Sequence, residues 1–194
     1  MELLPAVYRF IIRPSWFTKH YIKSLILNEF DFHNRFVLEF GSGVGTNSKM
    51  FAPHQYLGVD CDIKRIEYAS RLFHEHDFAT ISGPEIPLQD STVDYVLIIS
   101  VLHHIATDLL PDYIEEFRRL LKDGGAIVIM EPCFHERSEF CNTLMSFFDK
   151  GKYIQYEDGY LSLFEKKAFK TNILKRFCQL CLYRKILFSA TLIK

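Results

Sequence analysis

A chain of 194 residues, 48 % hydrophobic and 24 % charged, suits one domain with a sizeable core and excludes a disordered, collagen-like or low-complexity polypeptide. The formal net charge is −1, from 23 basic and 24 acidic residues, so the protein as a whole is not a polyanion binder. The longest apolar stretch, Tyr95 to Ile99 with Val101 and Leu102, falls well short of the roughly 18 residues of a membrane span, and five cysteines without a signal-peptide pattern read as reduced thiols in a cytoplasmic protein.

No internal repeat is visible, so element order carries the information. Pro14 and Ser15 open a predicted helix through Phe30. Arg35 to Phe40 is a short apolar strand running straight into Gly41-Ser-Gly-Val-Gly45. A brief helix over Thr46–Phe51 precedes a second strand, Tyr56–Val59, ending in Asp60. Asp62 has the place of an N-cap for a helix that turns Ile63, Ile66 and Ala69 inward. Ala79–Ser82 is a third strand and Asp94–Ser100 a fourth, continuously apolar as a strand covered on both faces should be. Leu110, Ile114, Phe117 and Leu121 mark a helical stripe closed by Asp123-Gly-Gly125, and Ala126–Met130 is a fifth strand. This alternation predicts a parallel α/β sheet with helices on both faces.

The last third changes character. Residues 132–160 lack clean periodicity but carry seven aromatics, among them Phe134, Phe140, Tyr153, Tyr156 and Tyr160. Ser162-Leu-Phe-Glu165 reads as a capping box opening a helix to about Phe177. Cys178–Tyr183 and Ile186–Ile193 follow as two strands joined at Arg184-Lys185, too tightly for a helical crossover, and should pair antiparallel. Residues 151–194 hold nine Lys/Arg against three Asp/Glu, which makes the predicted basic helix either a solvated face or a patch for an anionic surface. Cys178 and Cys181 form a lone C-x-x-C, and His74 and His76 a pair without a third ligand, so no metal site is expected.

The strongest signal is the glycine-rich turn after the first strand. Glycines there let the chain bend sharply and leave no Cβ between backbone and ligand. The spacing is G-x-G-x-G, with Thr46 where a dinucleotide fingerprint has its third glycine. Glu39, two residues before Gly41, would repel a pyrophosphate but suits a ligand with an ammonium group. Asp60, at the end of the neighbouring strand, is placed to accept from both hydroxyls of a ribose.

The runs VLEFGSGVGTNSKMF, YLGVDCD, IPLQDSTVDYVLIISVLHHI and LLKDGGAIVIMEP, spanning roughly residues 35–132, resemble in order and spacing the class I S-adenosylmethionine-dependent methyltransferases. Their small-molecule branch, similar to the quinone-biosynthesis enzymes, is the nearest in its VLHH signature. The resemblance implies a seven-stranded Rossmann-like sheet of order 3-2-1-4-5-7-6 with strand 7 antiparallel. It implies S-adenosyl-L-methionine as cofactor and S-adenosyl-L-homocysteine as product. Glu39 with Gly41, Ser42, Gly43 and Gly45 would hold the methionine end, Asp60 the ribose, Cys61 the adenine or ribose, and Ser100 would lie near the methionyl group. Where the family often has an acid reading the adenine amino group, this chain has Ser82-Gly83.

One domain is expected, with a helical cover (1–34), a cofactor core (35–131), a substrate-cover segment (132–161) and a final helix and hairpin (162–194). Transfer from a sulfonium is an in-line displacement that needs alignment above all, and a base only if the acceptor loses a proton. His104 and His103 are the candidates for that base, with Glu131 and His135 on the same strand edge. Aromatics at 134–160, with Trp16, Phe17 and Tyr21, predict a cover over a partly apolar, aromatic or cationic small-molecule acceptor. Strand four ends without the [DNS]-P-P-[YFW] tetrapeptide of exocyclic-amine methyltransferases, which argues against an adenine or glutamine acceptor, and no nucleic-acid partner is expected. A nicotinamide-dependent oxidoreductase and a non-catalytic nucleoside-binding protein of the same fold are the alternatives.

Overall fold

The computed structural model describes residues 23–136, 138–148, 151–179 and 183–193. The start of the predicted first helix, Trp16, Phe17, Tyr21 and Cys181 lie outside them. Across the seven-stranded sheet the strands, numbered in chain order, lie 3-2-1-4-5-7-6. The chain divides into two compact units, one ending at Gly83 and one beginning at Pro84.

In the first unit, helix α1 (Lys23–Glu29) is followed by β1 (Val37–Phe40), β2 (Tyr56–Asp60), α2 (Ile63–Leu72) and β3 (Asp77–Thr80). All three strands run parallel, with β2 between β1 and β3. Every residue of β1 is buried. Asp62 caps α2, accepting from the backbone N–H groups of Lys64 and Arg65, and Ile66 and Ala69 form the buried face; Ile63, expected inward, is exposed. The predicted helix at 46–51 is a single 3-10 turn, Ser48–Met50. Strand β3 lies two residues before its predicted place, so Ser82 falls in the loop beyond it. Phe32, Phe51, Tyr56, His76 and Phe78 pack ring on ring beneath this unit, with centroids 5.2–5.7 Å apart.

The second unit holds β4 (Val93–Ile99), α3 (Leu110–Leu120), β5 (Leu121–Pro132), α4 (Glu139–Phe148), α5 (Glu157–Glu165), β6 (Phe169–Gln179) and β7 (Tyr183–Leu192). Strand β5 pairs parallel with β4 and antiparallel with β7, and β6 pairs antiparallel with β7. Leu110, Ile114 and Phe117 give α3 the predicted apolar stripe, completed by Leu120 and not by Leu121, which opens β5.

The C-terminal segment corrects the sequence reading. The helix occupies 157–165, without a side-chain cap, and the stretch read as basic helix is strand β6. Ala168 adopts a left-handed φ of 61°, which stops the helix. The hairpin is antiparallel as expected but shifted: Arg184 and Lys185 lie within β7, opposite Cys178 and Phe177. The basic helix proposed to touch an anionic surface therefore does not exist; Lys170, Lys175 and Arg176 are exposed on a strand instead.

Candidate functional site

The turn leaving β1 is built from three left-handed glycines, Gly41 (φ 74°), Gly43 (56°) and Gly45 (73°). Gly41 N–H and Ser42 N–H both donate to Val59 O, at 2.8 and 2.9 Å, locking the turn to β2. A Cβ on Gly45 would meet Phe78 at 2.8 Å, Phe73 at 2.9 Å and Ala69 at 3.0 Å, so this glycine is required for close packing. Gly43 N–H donates to Asp60 Oδ2 at 2.8 Å, and Asp60 Oδ1 accepts from Asp62 N–H at 2.9 Å. One carboxylate thus sits under the glycine turn and at the head of α2.

Glu39 is buried below this turn. Its Oε1 accepts from Asn47 Nδ2 and its Oε2 from the Tyr56 hydroxyl at 2.5 Å. Its nearest partners therefore belong to the protein, and it acts on the turn through Asn47. Ser42 Oγ, Thr46 Oγ1 and Asn47 Oδ1 are buried without a hydrogen-bond partner, three such atoms within six residues. Buried polar groups are nearly always satisfied, so this clustering marks a seat for polar ligand atoms. Cys61 lies exposed beside Asp60; desolvation and then the Asp60 charge push its thiol up, so it stays protonated at neutral pH. Ile81 N–H donates to Asp60 O at 3.1 Å, bringing Ser82 and Gly83 next in the chain; Ser82 is exposed, and the space a Gly83 Cβ would occupy is open.

A second constellation lies in the other unit, at the carboxyl ends of β4 and β5. Ser100 leaves β4 with a left-handed φ of 57°, its N–H donating to Met130 O at 2.8 Å, and its Oγ is 3.3 Å from Nζ of the buried Lys185. Glu131, fully buried, accepts at Oε1 from Val101 N–H (2.7 Å) and Leu102 N–H (2.9 Å). Its Oε2 is 2.6 Å from His103 Nδ1. His103 is itself buried, and its ring lies 4.1 Å from that of the exposed His104. Tyr153 N–H donates to His103 O at 3.0 Å, and Gly151 rests on the imidazole so closely that a Cβ would come within 1.9 Å of Cδ2.

Residues 38–129 match a family described as "Methyltransferase domain". Over these residues, somewhat less than half of its length, the chain carries a methyltransferase domain. Among curated proteins none matches the sequence. The YcgJ protein from Bacillus subtilis is similar in structure at 15% identity and TM-score 0.77, over 90% of this chain and 100% of that one. A SAM-dependent methyltransferase from Aquifex aeolicus aligns at 16% identity and TM-score 0.71, over 98% and 100%. Magnesium protoporphyrin IX methyltransferase (ChlM) from Synechocystis, with bound SAH, aligns at 16% identity and TM-score 0.71, over 93% and 85%. At such identities these likenesses establish the fold.

The first unit fits S-adenosylmethionine, the cofactor that the resemblance in sequence implies. The three unsatisfied polar atoms on the turn, the open left-handed backbone and the Asp60 carboxylate are groups that a zwitterionic amino acid and a ribose diol would engage.

Asn47, Tyr56 and Lys185 were not singled out by sequence, and Glu131 was placed only on the strand edge, without the contacts it makes. A signal existed for Glu131, an acid closing an otherwise apolar strand, since a carboxylate there must find donors. Tyr56 and Lys185 carried none, because their relevance depends on strand pairing. Beyond β5, Phe134, His135, Glu157, Arg176 and Arg184 line a cavity of about 310 Å³. There Arg176 binds Glu157 through two hydrogen bonds, at 2.6 and 2.8 Å, and holds its carboxyl below the ordinary value. Among the described residues no group of three or more His, Cys, Asp or Glu is arranged to hold a metal ion.

Proposed function

We propose that this protein is a class I methyltransferase that transfers a methyl group from S-adenosylmethionine to a small-molecule acceptor with an apolar or aromatic part, in the manner of the quinone-biosynthesis branch. The observation that carries the reading is the trio of oxygens Ser42 Oγ, Thr46 Oγ1 and Asn47 Oδ1, buried without a hydrogen-bond partner on a glycine turn that Asp60 underpins. In this reading the turn backbone and the trio hold the methionine end, with Glu39 fixing Asn47 from below. Asp60 accepts from the ribose hydroxyls, Cys61 lies beside them, and Ser82-Gly83 flank the adenine. The sulfonium supplies an activated methyl group, so the protein's task is alignment and exclusion of water.

Support for the acceptor class comes from the segment after β5. Phe134 packs edge-on against Tyr156 at 5.6 Å, and Phe140, Tyr153 and Tyr156 present exposed rings, while Tyr160 belongs to the core. The similar structures include magnesium protoporphyrin IX methyltransferase and geranyl diphosphate C-methyltransferase, which act on small molecules. Among the described residues no helix is long and apolar enough to cross a membrane, and we place the protein in the cytoplasm as a single working domain. His104, exposed beside His103, is the proposed proton acceptor where the acceptor substrate ionises on attack.

A methyl-transfer assay with labelled S-adenosylmethionine over phenols, quinols, prenylated and amine-bearing metabolites tests this reading. Transfer to one chemical class is expected. Cofactor turnover on none of them, with intact cofactor binding, would reject the small-molecule assignment.

A further inference from the structure

We propose that Glu131 is a positioning residue of the transfer reaction: it holds His103 with its ring proton on Nδ1 and the lone pair on Nε2, and pins the turn Val101–His104 that closes β4. The inference rests on the methyltransferase reading for its role in the reaction but on geometry alone for the state of the ring.

Glu131 is fully buried at the end of β5, where a carboxylate without donors would be costly. It receives three. Val101 N–H and Leu102 N–H, at 2.7 and 2.9 Å, can only donate, so Oε1 is an acceptor oxygen. With Oε1 taken up as the acceptor of two backbone donors, the 2.6 Å contact at Oε2 is read as a hydrogen bond donated by Nδ1–H. The proton at Nδ1 leaves Nε2 as the basic atom of a neutral imidazole.

The rest of the setting suits a fixed ring. The backbone of Gly151 lies on the imidazole, where any side chain would collide with Cδ2, and Tyr153 N–H holds the His103 carbonyl at 3.0 Å. The His104 ring lies tilted by 40° against the ring so held, centroids 4.1 Å apart, and Ser100, two residues before the turn's Leu102, is kept left-handed at the same strand end. A carboxylate placed only for stability would be replaced without chemical consequence by its isosteric amide. Here it would not, because the amide oxygen must stay with the two backbone donors and the amide NH2 must then face Nδ1. That arrangement forces Nδ1 to accept and moves the ring proton to Nε2.

The test is nitrogen-detected NMR of the histidine rings near neutral pH in wild-type protein and in Glu131→Gln, with backbone amide spectra as a check on folding. Wild-type His103 is expected neutral with its proton on Nδ1, and Glu131→Gln neutral with its proton on Nε2. Wild-type His103 protonated on Nε2 alone, or on both nitrogens, overturns the proposal even if the variant fails to fold. With an acceptor in hand, Glu131→Gln should lower kcat at least about tenfold while KM for S-adenosylmethionine stays within about twofold. An inverted tautomer with unchanged kcat overturns the positioning role. S-adenosylhomocysteine binding to wild-type protein separates the two readings: its absence removes the methyltransferase assignment and leaves the ring state as measured.

Discussion

Gly45 and Asp60 decide the shape of the glycine turn from opposite sides. Gly45 has a left-handed φ and three apolar neighbours within 3.0 Å of where its Cβ would lie, so Gly45→Ala meets both backbone strain and overpacking. Urea unfolding should show a loss of about 2 kcal/mol or more; an unchanged midpoint would mean the turn adjusts freely. Asp60→Ala should weaken S-adenosylhomocysteine binding by about 1.5–3 kcal/mol in calorimetry, the scale of a hydrogen bond to a charged group. Unchanged affinity would show that the carboxylate serves only Gly43 and Asp62. At this scale the sequence was informative about backbone and weak about partners. Three glycines and one strand-end acid were legible because their spacing is local. That Glu39 spends its oxygens on Asn47 and Tyr56 was not, since Tyr56 reaches it only through the β1–β2 register.

Among the elements, α3 doubles as a clamp on the loop before β4. Arg119 donates to Glu116 at 2.7 and 2.8 Å, to Asp90 at 2.5 Å and to the carbonyls of Leu88 and Ile86 at 3.0 and 3.1 Å, while Glu116 accepts from Ile86 N–H at 2.8 Å. The Arg119 hydrogen bond holds the Glu116 carboxyl below its ordinary value of 4.5, and Arg176 does the same for Glu157. A depressed folded value means the stabilisation is complete above the unfolded value and is lost as pH falls through the folded one. Stability should therefore decline as pH drops below about 4.5, and Arg119→Ala should flatten that acid limb in urea titrations at stepped pH. An acid limb of equal steepness in the variant would remove Glu116 from the explanation.

Strand β6 shows where element-level reading failed. Ala168, Phe169, Ile173 and Phe177 fit a helical stripe, and Ser162 with Glu165 fits a capping box. The open edge of β7 offers the same residues a ladder, and the pairing register shifts between Ile173 and Lys175, so the strand's alternation is broken where a periodicity count would look for it. A tertiary partner outweighed a local pattern.

For the molecule as a whole, the alternation of strands and helices was legible because the apolar strands punctuated by Asp62, Pro111 and Gly124 announce themselves locally, whereas the strand order β3-β2-β1-β4-β5-β7-β6 came only through the resemblance that the four motifs carry. The acceptor side was less legible, since among its described residues Phe140 on α4 is exposed while Tyr160 on α5 is buried. What joins fold to function is the claim that the turn after β1 seats the methyl donor. Calorimetric titration of the full chain with S-adenosylhomocysteine tests it most directly. Saturable one-to-one binding is predicted; a folded protein that gives no binding heat and no ligand-induced rise in melting temperature would contradict the account.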